Sequence, residues 1–213
     1  VKRGFVYIIG VGPGDPELLT IKAVKALEKS EVVVYGKLIP EEILKYATSA
    51  KEFIRIEKRH RKEASKVVLE KALEGKIVAH LKNGDPSIYG GLMEEIEVLR
   101  RYNVPFEVIP GVSSITTAII RAGRSLTDYS SGYRGFAVVN GHDERLELIE
   151  ELTDKLGLTV LLMPDLNKVK KLEKKYDVLI VINASRPNEK ILTKLEDTNI
   201  QDPTIIYIFK KLE

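Results

Sequence analysis

Two periodicities alternate along this chain. Short apolar runs of the kind that fill a sheet are followed by longer stretches with apolar positions three and four apart, and the pair recurs from end to end. Residues 5–10 form an apolar run closed by Gly10, and Ile21, Val24 and Leu27 then mark one helix face within 20–29. Residues 32–35 are mostly β-branched, 41–47 predict a short helix, and 53–56 alternate like a half-buried strand. A helix over 63–74 is stopped by Gly75, a strand over 77–81 runs into Asn83-Gly84-Asp85-Pro86, and helix 92–102 and strand 105–109 follow. Pro110-Gly111 then interrupts the pattern and predicts a boundary between domains 1–110 and 111–213. Beyond it the spacing predicts a helix over 113–122, a long polar loop over 124–135, and strands at 136–140, 159–163 and 178–183. Helices are expected near 146–155 and 166–174, with 190–195 and 204–209 as a closing strand pair. This order predicts two α/β domains, a mainly parallel N-terminal sheet and a mixed C-terminal one.

Composition narrows the classes. The chain has 213 residues, 44% hydrophobic and 31% charged, which suits folded domains and leaves no segment polar enough to stay disordered. Zero cysteines exclude disulfides, thiolate metal ligands and cysteine nucleophiles. The net charge of +3 is spread over many lysines and glutamates, with no basic stripe interleaved with aromatics, so nucleic acid is not the expected partner. Apolar runs such as 159–163 fall far short of the ~20 residues that cross a bilayer. With no apolar leader ahead of the first strand, the expectation is a cytoplasmic protein without a membrane partner.

Three loops carry the chemistry. Gly10-Val11-Gly12-Pro13-Gly14-Asp15-Pro16 lies between a strand and a helix, as a nucleotide loop would. A dinucleotide fingerprint would place its third glycine at Asp15, and Pro13 and Pro16 remove backbone N–H donors. A phosphate-loop pattern is also missing, so NAD, ATP and GTP do not fit, and the segment is either a ligand loop of another kind or a tight turn before Thr20. Asn83-Gly84-Asp85-Pro86-Ser87-Ile88-Tyr89-Gly90-Gly91 again follows a strand. Pro110-Gly111-Val112-Ser113-Ser114 offers hydroxyls at a helix start, as an ordinary cap or as a site for a carboxylate or ribose. If the strands are central in a parallel sheet, these loops converge on one crevice.

Four segments in this order resemble the tetrapyrrole methylase family, which includes uroporphyrinogen III and precorrin methyltransferases. They are residues 11–20 (Val-Gly-Pro-Gly-Asp-Pro-Glu-Leu-Leu-Thr), 81–90 (Leu-Lys-Asn-Gly-Asp-Pro-Ser-Ile-Tyr-Gly), 105–114 (Pro-Phe-Glu-Val-Ile-Pro-Gly-Val-Ser-Ser) and 139–142 (Val-Asn-Gly-His). The likeness covers nearly the whole chain. It implies a cofactor cleft between two domains, S-adenosyl-L-methionine as co-substrate, no metal, and a homodimer. It assigns the cofactor to Pro13, to Asn83, Gly84 and Asp85, to Ile88, to Thr117 and Ala118, and to Met163 and Ala184 at the adenosine. Met163 taken alone reads as core packing rather than as a contact.

The implied reaction needs few catalytic groups, because a sulfonium methyl is already activated and an electron-rich ring carbon attacks it in line. Asp85 and His142 are the candidate catalytic residues for the proton that is lost, although Asp85 could instead fix its loop and His142 merely end a strand. The polycarboxylate substrate calls for cations. Lys37, Lys58, Arg59 and Arg124 are expected to bind it, with His60, Arg61, Arg121 and Arg134 as further candidates. Glu57-Lys58-Arg59-His60 and Asn140-Gly141-His142 resemble the uroporphyrinogen III enzyme, which makes precorrin-2. The segments 84–90 and 110–114 look more like the precorrin-4 enzyme, so cobalt-precorrin-4 or precorrin-4 is the alternative. Gly36-Lys37-Leu38-Ile39 lacks the acidic group of the former, and Leu126-Thr127-Asp128 lacks its Thr-His-Arg. From other classes, a non-catalytic S-adenosylmethionine or tetrapyrrole binding protein and a methylase of protein or RNA stay open.

Overall fold

The computed structural model describes residues 4–57, 61–195 and 203–211. The chain divides into two compact units, Val1–Ser114 and Ile115–Glu213; the sequence pattern places its break at Pro110-Gly111.

The first unit is built on five strands: β1 (Phe5–Gly10), β2 (Val32–Gly36), β3 (Glu52–Ile56), β4 (Ile77–Lys82) and β5 (Phe106–Ile109). Their order is β3-β2-β4-β1-β5, and every neighbouring pair is parallel. A parallel sheet must be covered on both faces, and the period-two alternation of β1 shows how. Ile9 joins Val33, Ala79 and Leu81 against α1 (Ile21–Lys29) and α2 (Glu41–Leu44). Val6 and Ile8 turn the other way, joining Val34 and Val78 against α3 (Arg61–Leu73) and α4 (Leu92–Arg101). Ile8, Ile9 and Leu27 are fully buried, each contributing about 1.5–3 kcal/mol relative to an exposed side chain. Thr20 opens α1 as expected of a cap, its Oγ1 accepting from the Ala23 N–H at 3.0 Å.

The second unit carries β6 (Ala137–Asn140), β7 (Leu158–Leu162), β8 (Asp177–Ile182), β9 (Lys190–Leu192) and β10 (Thr204–Phe209), with α5 (Ser114–Arg121) starting at the division between the units, α6 (Leu146–Leu156) and α7 (Leu166–Leu172). Its sheet order is β6-β7-β10-β8-β9; β6 and β7 are parallel and the remaining pairs antiparallel. The expected pairing of the last two strands is corrected here, since β10 lies between β7 and β8 while β9 is an edge strand on the far side of β8. The reason is burial: Thr204–Phe209 is buried at every position and belongs in the middle, whereas Lys190 and Ile191 are exposed. Among the described residues, no helix is long and apolar enough to cross a membrane.

Tyr207 pins this central strand to the start of α5. Its ring is fully buried, and its hydroxyl donates to the Ile115 carbonyl. Burial also pushes the phenol well above its ordinary pKa. Tyr207→Phe removes this hydrogen bond and should lower stability by about 1 kcal/mol, read as a lower urea midpoint at unchanged m-value.

Candidate active site

Strands β4, β1 and β5 are neighbours running in one direction, so the three glycine loops begin at one edge of the first unit's sheet. Register sharpens this, with Gly10 opposite Lys82 and Ile9 opposite Ile109. The loops then bind each other. Gly84 N–H donates to Gly12 O at 2.7 Å, Gly12 N–H returns to Gly84 O at 3.3 Å, and Val11 N–H donates to Lys82 O at 3.0 Å. Gly12 and Gly84 hold φ of +78° and +69°, which a side chain would disfavour. A Cβ on Gly10 would lie 2.5 Å from Gly111 N, and one on Gly111 would lie 2.2 Å from Gly84 O. The close approach that these glycines permit is therefore of loop to loop.

Asp85 completes the junction. Oδ1 accepts from the Ser87 N–H at 2.9 Å and from the Ser87 hydroxyl, and Oδ2 accepts from the Gly111 N–H at 3.1 Å. Burial raises its pKa, but these hydrogen bonds outweigh it and hold the carboxyl below its ordinary value, so it is an anion at neutral pH. Pro13 and Gly14 are buried in the turn before a 3₁₀ segment (Pro16–Leu18) capped by Asp15, and Ile88 and Asn83 are half-buried in the second loop.

Below that loop sits a buried ionic group. His80 and Lys82 share one face of β4, and Glu95 on α4 reaches both: Oε1 lies 2.6 Å from His80 Nδ1 and Oε2 lies 2.8 Å from Lys82 Nζ. Glu95 is 1% exposed. Burial raises its pKa, and the stronger opposing pull of His80 and Lys82 brings it down to about 2.

In the second unit β6, β7 and β8 point the same way, as the pairings through β10 require, so His142, Met163 and Ala184 all follow strand ends at one sheet edge. Met163, Asn183 and Ser185 are left-handed there, with φ of 50°, 53° and 63°, a strained backbone for residues other than glycine. His142 is exposed in a loop whose backbone is held from inside. Its N–H donates to Asn140 Oδ1 at 3.1 Å, and Lys168 Nζ donates to the carbonyls of Gly141, His142 and Glu144 at 3.2, 2.6 and 2.7 Å. Thr117 and Ala118 are buried on α5.

The expected cations belong to both units. Lys37 is exposed just beyond β2. Arg124 lies over the Phe209 ring, 4.7 Å from its centroid, at a cavity of 810 Å³ also lined by Asp128, Tyr133 and Lys211. Arg121 is paired with Glu189 at 3.0 Å, whose carboxylate also accepts from the Ser185 N–H. Lys58, Arg59 and His60 lie outside the described residues, as does the side chain of Arg61.

The sequence matches the tetrapyrrole (corrin/porphyrin) methylases over residues 6–199. The chain belongs to that family. It is 35% identical over 231 aligned positions to a uroporphyrinogen-III C-methyltransferase of Methanocaldococcus jannaschii, covering 96% of this chain and 95% of that one. The porphyrin biosynthesis protein HemD of Ruminiclostridium josui is 34% identical, but the chain spans only 47% of it. Among solved structures, a Thermus thermophilus uroporphyrin-III C-methyl transferase complexed with S-adenyl homocysteine superposes with a TM-score of 0.77 at 31% identity, covering 97% of this chain and 92% of that one. A cobalt precorrin-4 methyltransferase gives 0.80 at 27% identity, covering 96% and 94%.

Within this methylase, reading the sequence missed Glu95 with His80 and Lys82, and also Lys168. The first had a signal, because His80 interrupts the apolar run 77–81 of a central strand and Glu95 stands one helical turn before buried Leu99. Lys168 had none, since a lysine on an exposed-looking helix is usually solvated.

Two outcomes test the loop junction and its support. Gly111→Ala drives a methyl group into the Gly84 carbonyl and should cost about 1–3 kcal/mol by urea unfolding. Because the folded pKa of Glu95 is depressed, its contribution is full above the ordinary 4.5 and is lost as pH falls through about 2. Stability measured across that window should fall in the wild type and fall less steeply in Glu95→Gln.

Proposed function

We propose that this methylase transfers a methyl group from S-adenosylmethionine to a ring carbon of uroporphyrinogen III, on the route to precorrin-2. The observation that carries the donor side is the glycine-loop junction at the ends of β4, β1 and β5. Its amides are engaged by an internal carboxylate, Asp85, and by the Gly12–Gly84 pair, which suits a cationic sulfonium better than a phosphate. The name and near-complete overlap of the Methanocaldococcus relative favour uroporphyrinogen III as acceptor.

The donor brings a methyl group already activated by positive sulfur, so the step itself calls for no metal. The protein's share is to hold the ring carbon in line, exclude water and provide for the proton. As the new carbon–carbon bond forms, the carbon–sulfur bond breaks, its electron pair stays on sulfur, and the proton displaced from the tetrapyrrole passes to a base or to water. In the first unit Pro13, Asn83, Gly84, Asp85 and Ile88 are the donor contacts of this reading. In the second they are Thr117, Ala118, Met163 and Ala184. Asp85, held ionised by three hydrogen bonds, serves better as an anchor for the loops than as a base, and His142, exposed on a braced loop, is the better proton acceptor. Lys37, Lys58, Arg59 and Arg124 would pair with substrate carboxylates. The reading includes a cytoplasmic homodimer and assigns the cofactor loops of the first domain to the substrate side, with the second domain completing the cofactor site.

Anaerobic incubation with S-adenosylmethionine and either uroporphyrinogen III or cobalt-precorrin-4 tests this by product mass. The expected result is S-adenosylhomocysteine and a methylated product from uroporphyrinogen III. Methylation of cobalt-precorrin-4 alone would move the substrate to the later tetrapyrrole. Calorimetric uptake of the donor without turnover of either would instead indicate a binding protein.

A further inference from the structure

Two buried ionisable side chains and a largely covered lysine meet where the second glycine loop is attached, and none of them has a part in the chemistry just described. Strand β4 lies between β2 and β1 and ends at Lys82; the loop runs from Asn83 to Gly91, and α4 starts at Leu92. Glu95 is in the first turn of α4. Its carboxylate bridges back to His80 at 2.6 Å and Lys82 at 2.8 Å on the strand, so one side chain fastens the end of the loop to its beginning. Glu95 and His80 are buried, and the Lys82 side chain is 14% exposed, which leaves little room for water to replace either partner.

Stability alone does not account for the group. Desolvating charges is expensive, and apolar residues of similar volume commonly do as well or better in such a position. What an apolar patch cannot supply is direction. A carboxylate hydrogen-bonded to His80 through one oxygen and ion-paired with Lys82 through the other ties the helix start to the strand end at two points, whereas methyl groups slide. The segment immediately beyond Lys82 is Asn83-Gly84-Asp85, where Gly84 pairs with Gly12 and Asp85 reaches Gly111. A small displacement of Lys82 is therefore passed through the backbone to both of those contacts.

We propose that Glu95, clasped by His80 and Lys82, is a positioning residue that sets the Asn83-Gly84-Asp85 backbone for the methyl donor. The inference rests on the donor assignment above, and the experiment separates the two. Calorimetry with S-adenosylhomocysteine on the full wild-type chain comes first, and failure to bind there rejects the donor assignment itself. Given binding, Glu95→Gln should weaken affinity by roughly 10-fold or more and raise the KM for S-adenosylmethionine in step, with kcat at saturating donor and the KM for the tetrapyrrole within about 3-fold.

Glu95→Gln also leaves the Lys82 ammonium buried without its counter-charge, so the folded state itself could suffer. Lys82→Met combined with Glu95→Gln removes that stranded charge and should recover the urea midpoint without recovering affinity, since the clasp is still absent. Lys82→Arg, which keeps the pair, should bind nearly as the wild type does. If neither Gln variant folds, Glu95→Asp takes their place; it keeps the charge but withdraws it from both partners, and must show the same loss of affinity. Wild-type affinity in any folded variant that lacks the clasp would overturn the inference and reduce the group to core packing.

Discussion

The structure of the first unit depends on three peptide backbones meeting without side chains between them. Gly10, Gly84 and Gly111 stand at the ends of β1, β4 and β5, and a single methyl group on Gly10 or Gly111 would overlap backbone atoms of another loop. Contacts this close hold only if the strands beneath are fixed in register. That is provided by parallel pairing, with Gly10 level with Lys82, and by apolar cores on both faces of the sheet. The glycines thus transmit the rigidity of the sheet into the loops, and the loops then need few further contacts to keep their shape.

The same junction determines which charge the site can accept. A phosphate cradle needs several free N–H groups aimed at one point. Here Pro13, Pro16, Pro86 and Pro110 carry no N–H, and the amides of Ser87 and Gly111 already serve the Asp85 carboxylate. An anion is built into the chain at the place where a nucleotide enzyme would leave room for one. With those amides engaged by a carboxylate, the junction is poorly suited to a phosphate.

Most of the architecture was legible because apolar periodicity reports burial directly. The run of β-branched residues in β2 and the 3–4 spacing in α1 could hardly fold otherwise. Residues 190–195 and 204–209 misled because both look like strands and adjacency in sequence suggests pairing; only the unbroken apolar character of Thr204–Phe209 reveals a central strand. The glycine loops were legible as motifs, but their close packing on one another was not, since a sequence does not say whether a glycine makes way for a ligand or for another loop. Glu95 escaped for a related reason. A glutamate in a helix is ordinarily solvated, and its burial becomes visible only when His80 and Lys82, 15 and 13 positions earlier, are seen on the facing strand.

The two units brace their loops by different means, and the difference follows from their sheets. In the first, all strands are parallel, three adjacent ends meet, and backbone can lock against backbone. In the second, only the ends of β6 and β7 are adjacent, where Gly141 N–H donates to Leu162 O at 2.8 Å, and antiparallel β10 sets the loop after β8 apart from them. Side chains fill the gap: Lys168 collects three carbonyls of the loop after β6, and Glu189 ties the Ser185 amide to Arg121 after β8. Left-handed Met163, Asn183 and Ser185 turn the chain sharply at those ends, at a strain of about 1–3 kcal/mol for Met163 and Ser185 that such bracing must hold in place. A lysine satisfying three carbonyls has little freedom left, so the loop bearing His142 is ordered by its own interior, whatever ligand the exposed imidazole meets.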